Sequence, residues 1–158
     1  KLAAGHGVVP DTDIGEELPD FAEGRTRTAN VQVRVNQARF RKSVLISYNA
    51  TCCISGLQHE MLVIASHIVP WSMDTKNRLN PQNGLCLSAL HDKAYDQGLI
   101  TVMPDYTVRI STKFKVQKGD RFIADALLRF DGKSITLPER FRPAPEFLEF
   151  HARAFGFM

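Results

Sequence analysis

No run of about 18 consecutive apolar residues occurs in the 158-residue chain, which excludes a membrane-spanning helix of the usual kind. The opening KLAAGHGVVPDTD has neither a positively charged start nor an apolar stretch behind it, so it does not read as a secretory leader. Cysteine is scarce. Cys52 and Cys53 are adjacent and Cys86 stands apart, an odd count that argues against a disulfide framework and for a reducing compartment. No internal repeat is found, which removes the repeat architectures. The expectation is a soluble, cytoplasmic protein with no membrane partner.

What the chain does contain is enough apolar material for one ordinary globular domain, with 44% hydrophobic and 23% charged residues. Its net charge of +3 is unevenly spread. Residues 1–23 hold one lysine against six acidic residues. Residues 24–59 hold no acidic residue at all, while Arg25, Arg27, Arg34, Arg39, Arg41 and Lys42 make that stretch +6. A basic surface near one end follows, and a polyanion suits it as a partner as well as a merely solvated face does.

Residues 1–30 are rich in Gly, Pro, Asp, Glu and Thr without a sustained apolar period, and are expected to be a linker or N-terminal arm. The folded domain is expected over 31–158. In residues 36–48, Phe40, Val44, Leu45 and Tyr48 share one face at helical spacing while Arg39, Arg41 and Lys42 point elsewhere, which predicts a basic amphipathic helix with Asn36 as N-cap. MLVIASHIVPW, residues 61–71, predicts a buried strand ending near Pro70. A loop rich in turn formers, 72–83, leads to a second short strand, GLCLS. Ser88 then caps a helix that stops at Gly98. LITVM and YTVRIS flank Pro104 and Asp105 as a β-hairpin, and a second hairpin is expected around Asp131 and Gly132. PEFLEFHARAF predicts a terminal amphipathic helix with Pro145 near its first position.

The chemistry-bearing set is His67 at a strand end, Asn83 just before the next strand and His91 on the following helix. With ASHIVPW, NRLNPQNGLCLSALHDKAYDQGL and FRKSVLISYNATCCISGL around them, they resemble the HNH endonucleases of the ββα-metal superfamily, in particular bacterial restriction and defence types. The resemblance covers roughly residues 30–112. It implies an α+β fold: a ββα-metal core at about 61–98, a basic N-terminal helix, added β-hairpins and a C-terminal helix. It also implies a metal-dependent DNA endonuclease that leaves 5′-phosphate and 3′-hydroxyl ends. The alternative is an HNH-fold nucleic-acid-binding module without catalysis.

Hydrolysing a phosphodiester needs a base to activate water, a cation to neutralise charge on the phosphorane, and a rigid frame for both. Imidazole has the pKa for that base at neutral pH, and the role falls to His67, one ring nitrogen taking the proton while the other donates to a backbone carbonyl. The resemblance makes Asn83 the residue that holds the long loop against the strand and orients the base, with Asn77 and Asn80 as weaker competitors. It makes His91 the ligand of one divalent ion, Mg²⁺ or Mn²⁺ by preference, although imidazole also admits Zn²⁺, Co²⁺ or Ni²⁺.

Many family members place Asp or His just before the base as a further ligand, where this chain has Ser66. Either Ser66 acts through a water, or a carboxylate, Asp92 or Asp96, completes the shell; at about 100° per residue both carboxylates sit off the face of His91. The CxxC pairs of zinc-bearing relatives are missing, since Gly56 and Ala89 stand where partners for Cys53 and Cys86 would be. No structural zinc is expected, and the cysteines are read as small packing residues. His6, His59 and His151 are read as arm, turn and packing residues, Trp71 and Tyr95 as packing. Arg39, Arg41, Lys42, Lys76, Arg78 and Lys93 are candidate phosphate contacts. A lone ββα unit makes few base contacts, so specificity is expected from homodimerisation or from an N-terminal sensor or reader domain upstream.

Overall fold

The computed structural model describes residues 31–158, so the expected arm and His6 lie outside the described residues. Helix α1, Val31–Ser47, begins earlier than its apolar pattern suggests. Asn36 is therefore not an N-cap but an interior residue, and its Oδ1 accepts from Gln32 Nε2 at 3.0 Å. The run VQVRV before it holds no Gly or Pro to stop a helix, and a capping preference of one residue does not override that continuity. The helix ends where Asn49 and Ala50 take φ of 51° and 48°. There the Ala50 N–H closes back on the Leu45 carbonyl at 2.8 Å, satisfying a terminal acceptor.

After a short 3-10 turn, Glu60–Leu62, strand β1 runs Val63–His67 and pairs antiparallel with β2, Gly84–Ser88. The register sets Val63 opposite Ser88 and His67 opposite Gly84. The strand is shorter than its apolar run because Met61 and Leu62 are taken into the preceding turn and stay exposed. Beyond His67, the Ile68 N–H still reaches the Asn83 carbonyl at 3.0 Å. Helix α2, Ala89–Asp96, starts at Ser88, whose Oγ accepts from the His91 N–H at 3.2 Å. It stops at Gly98, where φ is +67° and any Cβ would strike the Phe155 ring. The expected ββα order is thus present as β1, β2 and α2.

The hairpin at Pro104 and Asp105 forms as β3, Ile100–Val102, and β4, Val108–Ile110. The second expected hairpin does not form. Its first arm, LLRF, instead follows helix α3, Arg121–Ala126, and folds as a 3-10 turn, Leu128–Phe130, while Asp120 caps α3 by accepting from the Ile123 N–H at 3.0 Å. The other arm contributes a single bridge, Thr107 to Ser134. Helix α4, Pro145–Ala154, closes the fold with Leu148, His151 and Ala152 buried. The architecture is α+β, with one core joining Phe40, Val44 and Leu45 of α1, Leu85 and Leu87 of β2, Tyr95 of α2 and Leu148 of α4. The three cysteines are free and buried in or against that core.

His151 gives this core a pH dependence. Its ring stacks on Tyr95 at 3.6 Å, Nδ1 meets Thr101 Oγ1 at 2.8 Å and Nε2 donates to the Tyr95 carbonyl at 3.1 Å. Burial, only partly offset by that last bond, pushes its pKa down to about 4. The unfolded chain takes up this proton from pH 6.5 downward while the folded protein resists it. Stability is therefore full above pH 6.5 and falls as the pH drops toward 4, by about 3 kcal/mol for this group. Urea melts between pH 7 and 4 are expected to slope more steeply for wild type than for His151→Phe, and equal slopes would remove His151 as the cause.

Candidate active site

Strand β1 ends at His67 because the chain must turn away there, and that end is where the site assembles. The His67 ring is half-buried, and its Nε2 lies 3.0 Å from the Arg78 carbonyl. A carbonyl only accepts, so Nε2 carries the proton and Nδ1 keeps the lone pair of the neutral ring. Among the described residues nothing hydrogen-bonds Nδ1. Burial lowers the pKa of His67, with the Arg78 carbonyl opposing in part. Phe40 of α1 lies flat against the ring, centroids 3.6 Å apart and planes 12° from parallel, and Trp71 meets it edge-on at 5.5 Å.

Asn83 is 1% exposed and faces the segment just past β1. Its Oδ1 accepts from the Val69 N–H at 2.8 Å and its Nδ2 donates to the Val69 carbonyl at 3.1 Å. One amide thereby replaces a missing strand partner. The loop beyond is braced by Asp74, which accepts from the backbone N–H of Lys76 and Asn77 and from Asn77 Nδ2, while Asn80 Nδ2 donates to Asn77 Oδ1. Asn77 and Asn80 therefore shape the loop, and Asn83 ties its end to the strand that carries His67.

His91 lies inside the fold. It is buried, Nε2 donates to the Ala126 carbonyl at 2.7 Å, and Nδ1 accepts from the Ser88 hydroxyl at 2.7 Å. Cys52 Sγ is 3.9 Å from the same Nδ1, and the Phe130 ring packs edge-on. Both nitrogens thus have protein partners in this arrangement. The carboxylate side chains of α2 are Asp92 and Asp96, one turn apart, which an i,i+4 spacing sets on one face. Burial raises the Asp92 pKa, the Ser66 hydroxyl beside it lowers it, and the Asp96 charge raises it further. Ser66 Oγ is itself buried without a partner in good hydrogen-bond geometry. Among the described residues no cluster of three or more His, Cys, Asp or Glu side chains has the shape of a metal site.

The six basic candidates divide. Arg39, Lys42, Lys76 and Lys93 are exposed. Arg41 instead spans from α1 to the start of β1, donating to the Val63 carbonyl at 2.9 Å and the Glu60 carbonyl at 2.8 Å. Arg78 folds back on its own loop, with Nε donating to the Trp71 carbonyl at 2.8 Å and its guanidinium 5.0 Å over the Trp71 ring. Trp71 is thus not a core residue: it is half-buried beside His67. Sequence reading placed Phe40 on the apolar face of α1 but missed that it meets His67, since a helix face carries no sign of its destination.

Comparison with known proteins agrees with this geometry. Residues 52–103 match the HNH_2 family model, described as HNH endonuclease. A search of solved structures finds "Modification dependent TagI restriction endonuclease", 17% identical with a TM-score of 0.51, over 74% of this chain and 37% of that one. The chain therefore spans well under half of that enzyme, and the likeness speaks for the fold. No curated protein matches. The segment matched by the HNH endonuclease model contains β1, β2 and α2, and the fold is similar to that of the solved structure.

Proposed function

We propose that this chain is a metal-dependent DNA endonuclease, and one observation carries the reading: at the end of β1 the only hydrogen bond to the His67 ring among the described residues falls on Nε2, which leaves Nδ1 as a free base. In this reading Nδ1 takes the proton from a water as its oxygen attacks phosphorus. The P–O3′ bond then breaks, leaving a 5′-phosphate and a 3′-hydroxyl. Burial keeps the ring neutral near pH 7, as a base must be. Asn83 acts by fixing the backbone on which His67 and Arg78 meet.

The fold family implies a divalent cation, and the residues present suit one. Ser66, Asp92 and Asp96 form an all-oxygen set in which a buried hydroxyl lacks a good partner and two carboxylates crowd each other, as a hard cation would relieve. This assigns the site to Asp92, Asp96 and Ser66 in place of His91, and favours Mg²⁺ or Mn²⁺. When bound, such an ion stabilises charge on the phosphate and on the departing oxygen. Ser66 leans toward α2 and His67 toward α1, so the scissile phosphate is proposed to straddle the strand end. DNA suits the surface: residues 31–158 carry 17 basic side chains against 11 acidic ones, and among the described residues the only ion pair joins Arg153 to Glu149. Arg39, Lys42, Lys76 and Lys93 are the proposed phosphate contacts. Restriction-type DNA is the proposed substrate, with specificity supplied by a dimer or by a further domain.

A binding module without catalysis is favoured by the lack of a three-ligand cluster of His, Cys, Asp or Glu among the described residues. Supercoiled plasmid incubated with the protein in Mg²⁺, Mn²⁺ or EDTA separates the two. Nicking or linearisation in metal, abolished by EDTA and reduced about a hundredfold in Asp96→Asn, is the expected result. Retardation of DNA with no cleavage under either metal would establish the binding module instead.

A further inference from the structure

We propose that Phe40 is a positioning residue for His67, so that helix α1, which precedes the segment matched by the family model, sets the plane of the catalytic imidazole. The proposal rests on the reading of His67 as general base. The Arg78 carbonyl fixes one atom of the ring but leaves it free to swing about that hydrogen bond. The stacked face of Phe40 and the edge of Trp71 remove that freedom, and with both in place Nδ1 points in a single direction.

The surroundings are built for this contact. Phe40 is 2% exposed. Gly84, opposite His67 in the strand ladder, lies under the same ring: a Cβ there would come within 2.5 Å of Val44 Cγ2 and 2.9 Å of Phe40 Cζ. Only glycine lets α1 approach β2 closely enough for the stack, and its φ is ordinary, so close approach rather than backbone freedom is the reason for it. Arg41, next in sequence, ties α1 to β1 through two carbonyls, and Tyr48 Oη donates to the Gly84 carbonyl at 3.4 Å. Helix, glycine and histidine thus form one unit, in which a packing residue of α1 governs the orientation of a side chain on β1.

The test uses the full 158-residue chain. Plasmid cleavage kinetics are measured for wild type, His67→Ala, Phe40→Leu and Val44→Ala, the last a control from the same core patch whose side chain has no ring to stack on His67. Phe40→Leu is expected to lower kcat by about tenfold or more with KM unchanged. Val44→Ala is expected to keep kcat despite a similar fall in Tm. Proton NMR of the His67 ring gives an activity-free reading, since the upfield shift from the Phe40 face disappears in Phe40→Leu. If Phe40→Leu does not fold, Phe40→Met, which fills the space without a flat face, is measured in its place. Wild-type cleavage that is lost in His67→Ala but kept in the Phe40 variant overturns the positioning role and leaves the nuclease reading standing. Equal kcat loss in Val44→Ala does the same, by making the effect general. Absence of cleavage by wild type overturns both.

Discussion

If the proposed nuclease reading holds, replacing His67 with alanine is expected to lower metal-dependent cleavage of plasmid by about 10²–10⁴-fold, the range that a positioned general base supplies. The expectation follows from the geometry rather than from the residue type. Five histidines occur in the chain, and those with described surroundings differ in what their nitrogens do. His91 and His151 have both engaged by protein groups, and the His59 Nδ1 accepts from the Met61 N–H to cap a short turn. Only at His67 is one nitrogen pinned by a carbonyl while the other is open beside a strand end and a basic surface. The variant is expected to keep its fold, because the ring is half-buried and its removal frees one hydrogen-bonding group, the Arg78 carbonyl. Initial rates over a range of enzyme concentrations, with circular dichroism as the fold control, measure the effect. A variant retaining more than about a tenth of the wild-type rate would move the base role elsewhere.

Asn83→Ala is expected to cost about 2–4 kcal/mol of stability and to lower Tm on the order of 10 °C. The side chain is fully buried and makes a matched pair of bonds to one residue, Val69, whose N–H and carbonyl are left unpaired in the interior when the amide goes. An unmet buried donor or acceptor carries its whole desolvation cost, about 1–3 kcal/mol each. Asn83→Asp separates the two bonds, since it can still accept from the Val69 N–H but faces the Val69 carbonyl with a second acceptor. It is expected to be no better than alanine at neutral pH. Cleavage should fall with stability, because the loop that Asn83 secures also carries the Arg78 carbonyl. Chemical melts of both variants decide it. A loss below about 1 kcal/mol in Asn83→Ala would mean that the loop is held by the Asp74, Asn77 and Asn80 bonds alone.

The order strand, loop, strand, helix was legible because its punctuation is local. Ser88 caps, Gly98 stops, and Pro104 with Asp105 turns the chain, each through its own backbone preference. His67 and Asn83 could be picked out for the same reason, by their places at the two strand boundaries. Where local signals competed, sequence reading failed. Asn36 looked like a cap but lies within a helix that nothing before it interrupts, and the segment around Asp131 and Gly132 looked like a hairpin but follows a helix capped by Asp120.

By itself the sequence determined the α+β class, the likeness to the HNH endonuclease model, the ββα order and the position of His67 at a strand end. All of these depend on residues within a turn or two of one another. Only the tertiary structure decided what each side chain meets. It put His91 between Ser88 and the carbonyl of Ala126, 35 residues away, giving both ring nitrogens partners that spacing alone does not show. It laid Phe40 on His67, 27 positions along the chain, and turned Arg41 from a phosphate contact into a tie between α1 and β1. The physical reason is that backbone preference acts over a few residues, whereas the pairing of a nitrogen, the stacking of a ring and the burial of a charge depend on which distant element arrives beside it.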